Sequence, residues 1–255
     1  MSNEILFDEK GDGIVVVTIN RPAQRNAINT AVREGLFAAF ERIENERAIR
    51  VAILTGAGDQ AFCAGADLKE MAELNLGVLP HGWLPVLGDN VRVTKPVIAA
   101  VNGAALAGGW MFAQMCDLCV ASKSARFGIT EAKVGRGFPW AAPLAHMIPQ
   151  RVMMEILMTG EPITAQRAYE IGFVNQVVEP ADLIPASIAL AAKIAANAPL
   201  TVAAAKELVY LSTEMGRTPA LRAAGHVFDR VYRSNDAKEG PAAFRDKRKP
   251  DWTGE

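Results

Sequence analysis

Two glycine-rich turns constrain this chain more than any other feature. They are Phe62-Cys63-Ala64-Gly65-Ala66-Asp67 and Asn102-Gly103-Ala104-Ala105-Leu106-Ala107-Gly108-Gly109. Turns built from residues this small leave backbone N–H groups bare and let a ligand oxygen come close, with glycine where the backbone needs unusual angles. If both turns face one pocket, their amides form a paired main-chain donor, an oxyanion hole, in which a single donor is worth roughly 3 kcal/mol to a developing negative charge. The chemistry then belongs to a carbonyl compound.

The flanking sequence supports that placement. Val51-Ala52-Ile53-Leu54-Thr55 is a short β-like run that leads through Gly56-Ala57-Gly58 into the first turn. Residues 97–101 repeat the arrangement before the second turn, and a helix is expected to begin near Gly108. Ligands of open α/β sheets collect at the carboxyl ends of strands, where helix N-termini present N–H groups. Residues 14–19, 118–121 and 173–178 also read as strands. Over residues 30–47, apolar Val32, Leu36, Phe40 and Ile43 recur at helical spacing, predicting a helix that lays this stripe on a core. From Ala181 onward alanine-rich helices follow, divided at Pro199, 216–219 and 234–235, with Asp236 and Glu239 resembling a capping box for the last. No internal repeat or low-complexity linker interrupts the 255 residues.

Composition excludes several alternatives. A formal charge of -1 does not suit a general nucleic-acid binder, which needs a concentrated basic face. The amino-terminal string Met1-Ser2-Asn3-Glu4-Ile5-Leu6-Phe7-Asp8-Glu9 lacks the basic region and apolar run of a secretory signal, so a cytoplasmic location is expected. The uncharged stretch between Lys95 and Asp117 has the length of a membrane span, but Pro96, Asn102, Gln114 and its glycines favour a buried strand, turn and core helix. Cys116-Asp117-Leu118-Cys119 has CxxC spacing, yet no second pair and no suitably spaced histidine accompany it, so two buried cysteines are expected rather than a metal site. His146 and His226 are expected to be packed in apolar settings. No Gly-Lys-Ser/Thr follows the second turn, so it is not a P-loop.

Taken in order, the motifs resemble the enoyl-CoA hydratase/isomerase, or crotonase, family almost end to end. Asn20-Arg21-Pro22 with Asn26-Ala27-Ile28-Asn29 is similar to the family's first loop, and Ala64-Gly65-Ala66-Asp67-Leu68 to its first oxyanion turn. Ala105-Leu106-Ala107-Gly108-Gly109 followed by Met115-Cys116-Asp117-Leu118 is similar to the second. Ala125-Arg126-Phe127-Gly128-Ile129-Thr130-Glu131 matches the segment carrying a catalytic acid, and Thr159-Gly160-Glu161-Pro162-Ile163-Thr164-Ala165, Gly172-Phe173-Val174-Asn175 and Phe244-Arg245-Asp246-Lys247-Arg248-Lys249-Pro250 complete the pattern.

The resemblance implies an α/β fold, a crotonase-like spiral of ββα units over residues 1–195 holding the acyl-CoA site. A C-terminal helical region, residues 196–255, would serve oligomerisation and CoA contact. It implies that the backbone N–H groups of Ala64 and Gly108 hold a thioester oxygen as it becomes an enolate. Arg25, Asn26 and Ala27 of the first loop, with Ala64, Gly65, Ala66, Asp67 and Leu68, would cradle the CoA portion. Phe244 and Lys247 would reach the CoA adenine and phosphate region from a neighbouring subunit of a homotrimer or dimer of trimers. Coenzyme A enters as part of the substrate, and no separate cofactor and no metal are expected.

One departure from the family pattern matters. Family hydratases typically use two glutamates to position and split a water; here the later is Glu131, but the earlier position is Met111, which can neither donate nor accept a proton. Family Δ3,Δ2-enoyl-CoA isomerases commonly keep only the later glutamate, which removes a proton from C2 and returns it to C4. Asp67, Glu70, Glu73, Asp89, His81 and Asp117 could in principle replace the missing acid, but each has an easier structural reading, such as a helix N-terminus for Asp67 and a strand entry for Asp117. Met111, with Trp110, Phe112, Phe138 and Trp140, is a candidate apolar wall for the acyl pocket, core packing being the alternative. The sequence therefore predicts enoyl-CoA isomerisation with Glu131 as the single acid/base. The alternatives are a hydratase or dehydratase using Glu131 with another acid, and a non-catalytic acyl-CoA-binding scaffold.

Overall fold

The computed structural model describes residues 3–75 and 77–255; Met1 and Ser2 of the amino-terminal string lie outside them. Among the described residues ten strands form two sheets. The larger runs in the order β1 (Ile5–Glu9), β2 (Ile14–Ile19), β3 (Val51–Gly56), β5 (Val97–Val101), β7 (Leu118–Ser122) and β10 (Gln176–Val178). β1 and β2 pair antiparallel, and every later neighbour is parallel. Such a sheet must be covered on both faces, which explains why its central strands are apolar throughout. Alternation along β2 sorts the two sides: Val15, Val17 and Ile19 join one core with Val32, Leu36, Phe40 and Ile43, while Ile14 and Val16 join another with Leu183, Ala191 and Ala195.

The first of those covers is helix α1 (Thr30–Asn45), capped by the Asn29 side chain, which accepts the Val32 N–H at 2.9 Å. Its four stripe residues are fully buried, worth roughly 2 kcal/mol each. The second cover is α6 (Leu183–Ala195).

The smaller sheet, β4 (Ala61–Cys63), β6 (Ala104–Leu106), β8 (Arg126–Gly128) and β9 (Ile163–Thr164), was not legible in the sequence. Its strands are two or three residues long, too short for a periodic signal. β4 and β6 lie within or beside the glycine turns, so the two turns are joined by strand pairing. Residues 173–178 likewise form a shorter strand than expected: only β10 pairs, because the Asn175 side chain instead accepts the Cys119 N–H at 2.8 Å.

The uncharged stretch 96–116 divides into β5, β6 and helix α3 (Gly108–Met115). Among the described residues no single helix is long and apolar enough to cross a membrane. Helices α7 (Pro199–Glu214), α8 (Arg217–Arg233) and α9 (Asp236–Arg245) close the chain.

Asp236 and Glu239 do not form a capping box. The buried Asp236 carboxylate accepts the Thr253 and Gly254 N–H groups at 2.8 and 3.0 Å, and Glu239 accepts the Asp251 N–H at 2.7 Å and pairs with Arg248. These bonds fold the last residues back as a strap, which Arg50 and Trp252 fasten through Arg50–Trp252 carbonyl and Trp252–Ala196 carbonyl bonds at 2.8 Å each. A charged acceptor holding two amides contributes about 2 kcal/mol. Asp236→Ala is expected to lower unfolding free energy in urea by about that amount; an unchanged midpoint would show that the strap adds nothing.

Candidate active site

Strands β4, β6 and β8 are neighbours and parallel, with Cys63 opposite Ala105 and Leu106 opposite Gly128. Their carboxyl ends therefore stand side by side. Three residues beyond β4 lies Ala66, two beyond β6 lies Gly108, and three beyond β8 lies Glu131. An Ala107 N–H to Gly128 carbonyl bond at 2.8 Å ties the last two exits together.

The two glycine turns touch. A Cβ added to Gly65 would sit 2.9 Å from the Ala107 Cβ, 3.2 Å from the Leu106 carbonyl oxygen and 3.5 Å from the Gly108 nitrogen. Gly109 is tighter still, since any Cβ there would collide with the Cys63 carbonyl. Ala107, between them, takes φ 52° and ψ −122°, a left-handed conformation unusual for a residue with a side chain. Such a residue stores roughly 1–3 kcal/mol of strain and persists only where its surroundings hold it.

The sequence reading gave the first donor to Ala64, but the Ala64 N–H donates to the Arg25 carbonyl at 3.1 Å and is already occupied. The cause is a bridge between this turn and the first loop, in which Ile28 N–H donates to the Gly65 carbonyl and Asp67 N–H to the Ile28 carbonyl. Extended chain alternates its bonding edges, so the amide of Ala66 faces away from the bridge. Among the described residues neither the Ala66 nor the Gly108 N–H has an acceptor. Ala66 was already a candidate contact; nothing local in the turn distinguishes its amide from that of Ala64, and the deciding partner, Arg25, lies 39 positions earlier.

The first loop is built to hold this bridge. Arg25 and Asn26 are consecutive left-handed residues with φ of 51° and 55°. Asn26 is fully buried, donating to the Ala57 and Ala61 carbonyls and accepting the Arg21 N–H, so its side chain serves the fold. Arg21 bonds the Ala27 carbonyl at 2.7 Å and Asp67 at 3.0 Å. Asp67 caps helix α2 (Leu68–Glu73), as its sequence position suggests. Burial alone would raise its carboxyl, but bonds from Arg21 and from the Glu70 and Lys69 amides outweigh this and hold it low. Leu68 is exposed at the rim of the turn.

Glu131 opens a short 3-10 turn and is 8% exposed. Burial raises its carboxyl above the usual range, opposed by the nearby N–H groups of its own backbone, Trp140 and Thr130. Its Oε2 has no partner. A buried carboxylate with one open oxygen is a ready proton acceptor.

Met111 and Trp140 line a cavity of about 620 Å³ together with Val86, Leu87, Met115 and Met147, a volume suited to a small-molecule acyl group. Trp110 and Phe112 do not line it; both are fully buried, Trp110 against Phe127 and Phe173 with ring centroids 5.8 and 5.2 Å away. Asp89 and Asp117 also line this cavity, yet the acids considered from sequence are bonded to other groups or exposed. Asp117 accepts the Val97 N–H and the Tyr210 hydroxyl and pairs with Lys206 at 2.8 Å, while Glu70 accepts the Thr30 N–H at 3.0 Å and Asp89 is exposed.

His146 and His226, expected to be packed, are both exposed, His226 on helix α8, which buries none of its residues. Cys116 and Cys119 are buried thiols pushed up by desolvation. Phe244, 88% exposed, and Lys247, also exposed, stand on the surface near the end of α9.

Two backbone donors and a buried carboxylate at the ends of three neighbouring parallel strands form a candidate site. Comparison with known proteins gives its class. The family model described as enoyl-CoA hydratase/isomerase matches residues 9–255. A short-chain-enoyl-CoA hydratase of Clostridium acetobutylicum is 36% identical over 254 residues, covering 97% of this chain and 96% of that protein. An (E)-benzylidenesuccinyl-CoA hydratase of Thauera aromatica is 36% identical over 251 residues, covering 96% and 98%. The crystal structure of an enoyl-CoA hydratase from Mycobacterium tuberculosis superposes with a TM-score of 0.92 at 41% identity, covering all of both chains. The chain belongs to the enoyl-CoA hydratase/isomerase family, and its fold is that of the crotonase enzymes.

The close packing of the turns gives a direct test. Gly109→Ala should cost about 3 kcal/mol in a denaturant titration or prevent folding, because a buried methyl must displace backbone. Wild-type stability in this variant would mean that the turns are not held as described.

Proposed function

We propose that the protein binds an acyl-CoA thioester with its carbonyl oxygen between the Ala66 and Gly108 amides and uses Glu131 to move a proton along the acyl chain. A proton beside a thioester carbonyl is too weakly acidic to leave in water at neutral pH. Fixed N–H dipoles in a site shielded from water stabilise the enolate that its removal creates. The ionised Glu131 takes the proton on its open Oε2, and the same group returns it at C4, so that a 3-enoyl thioester becomes a 2-enoyl thioester. One carboxylate suffices. The observation that carries this reading is that Glu131 is buried with an open oxygen while Met111, where a second acid would stand, is an apolar side chain 2% exposed.

A second reading, hydration of the 2-enoyl thioester, is favoured by the names of the Clostridium and Thauera relatives. It requires a water held by Glu131 and a group other than Met111. Phe244 and Lys247 are further proposed to contact the CoA of a neighbouring subunit in a trimer or dimer of trimers, which the exposure of both supports.

Incubation of the protein with 3-enoyl-CoA and 2-enoyl-CoA, each product followed separately, distinguishes the readings. Double-bond migration is expected to dominate; efficient hydration with no migration would overturn the first reading in favour of the second, and turnover of neither despite CoA binding would leave a scaffold. A positioned base contributes roughly 10²- to 10⁴-fold, so Glu131→Gln should lose at least that much in kcat while KM stays near wild type.

The raised carboxyl predicts a pH effect of definite sign. Activity should fall, as pH drops, at a point above the ordinary glutamate range of about 4.5. The same group destabilises the folded state wherever it is ionised, because its folded pKa exceeds the unfolded one. Glu131→Gln should therefore be more stable than wild type at neutral pH, with the gain vanishing below the unfolded pKa; a loss of stability at pH 7 would contradict the assigned burial cost. Separately, Phe244→Ala should raise KM for the CoA thioester without changing kcat, and unchanged KM would remove Phe244 from the CoA contact.

A further inference from the structure

The free Ala66 amide stands at the end of a row of hydrogen-bonded peptide groups. In a trans peptide the C=O and the N–H point to opposite sides. The Gly65–Ala66 peptide accepts the Ile28 N–H on its carbonyl at 2.8 Å, so its own N–H, that of Ala66, is aimed the other way. The peptide that supplies the Ile28 N–H carries the Ala27 carbonyl on its far side, and that carbonyl accepts Arg21 Nη1 at 2.7 Å. Arg21 is thus joined to the Ala66 donor through two peptide groups, with no other side chain between them. Each bond in such a row polarises the next and strengthens the last donor.

Arg21 is held firmly at the head of this row. Its side chain is largely buried; the same Nη1 donates to Asp67 Oδ2 at 3.0 Å, and Nε lies 3.3 Å from Glu4 Oε1. Asp67 directly follows Ala66, and its N–H donates to the Ile28 carbonyl at 2.9 Å. Both neighbours of Ala66 are therefore tied to the loop that Arg21 begins. The main chain of Arg21 closes that loop separately: its carbonyl accepts the Gln24 and Asn26 amides at 2.9 Å each, and its N–H donates to Asn26 Oδ1 at 2.9 Å. These bonds do not use the guanidinium, so the loop should stay closed when the side chain is changed. Lysine is no substitute, because its ammonium is a point charge without the rigid fork that meets a carbonyl and a carboxylate together.

We propose that Arg21 is the positioning residue for the oxyanion donor Ala66. The guanidinium fixes the Ala27–Ile28 peptide, that peptide fixes the Gly65–Ala66 peptide, and the Ala66 N–H is held, polarised, toward the thioester oxygen. Asp67 keeps the guanidinium in place. This inference rests on the reading that the Ala66 and Gly108 amides grip that oxygen, and it does not require Glu131 to be the base.

The test is the thioester carbonyl stretch of butyryl-CoA, isotope-labelled at the thioester carbon and bound to wild type, Arg21→Lys and Asp67→Ser, read by difference infrared spectroscopy. Hydrogen bonds to the oxygen lower this frequency, so wild type should show a downshift from free butyryl-CoA. Arg21→Lys should lose most of the downshift. Asp67→Ser should lose less, since serine still caps α2 and the Ala27 bond remains, but no second oxygen is left for Arg21. On the enoyl-CoA that wild type turns over, kcat of Arg21→Lys should fall roughly 10- to 100-fold with KM near wild type, short of the loss expected when a donor is removed outright. The double variant should be no worse than Arg21→Lys, because both act on one contact. A downshift that persists in Arg21→Lys overturns the positioning role, as does a raised KM with unchanged kcat, which would make Arg21 a contact to CoA. If Arg21→Lys does not fold, Asp67→Ser must show the partial loss by itself, and an unaltered frequency there overturns the role. Wild type with no downshift removes the oxyanion reading and this inference with it; a wild-type downshift unaltered in the variants removes only the role of Arg21.

Discussion

The site depends on how closely two backbones approach each other. Gly109 sits where any side chain would strike the Cys63 carbonyl, and Gly65 lies against Ala107 and Gly108. Because those contacts leave no room for a Cβ, the two turns lock at one separation. The strands behind them, β4, β6 and β8, lie side by side in parallel and deliver their carboxyl ends to the same place. Preorganisation of this kind matters because donors that need not reorganise during the reaction stabilise a developing charge at little further cost.

Residues on these strand exits and on α3 include several that weaken the fold locally. Ala107 is strained, Glu131 is buried with an open oxygen, and Gln114 and Trp110 each bury a polar atom without a partner. Each costs free energy that ordinary packing would avoid. The sheet buried on both faces and the carboxy-terminal strap offset them. Local rules of stability tend to fail where function constrains a residue, and two of these exceptions, Ala107 and Glu131, stand at the exits of strands β6 and β8.

Much of this was legible in the sequence. The β-branched runs 14–19, 51–55 and 97–101 and the stripe Val32, Leu36, Phe40 and Ile43 formed the strands and helix their periods predict. The glycine turns announced free amides, found at Ala66 and Gly108. What escaped were features decided by contacts distant in sequence. Ala64 and Ala66 look alike until Arg25, far upstream, takes the amide of one. The smaller sheet is made of strands too short to carry a pattern. Asp236 and Glu239 have the spacing of a helix cap, but tail residues 251–254 claim their oxygens. His146 and His226 have apolar neighbours along the chain but face away from the core.

The central claim is that the amides of Ala66 and Gly108 grip one thioester oxygen beside Glu131. A crystal structure with a short acyl-CoA bound measures this most directly. The account predicts a thioester oxygen about 3 Å from both nitrogens, with Glu131 Oε2 reaching the acyl chain. An oxygen held by only one of these amides, or bound away from Glu131, would contradict it.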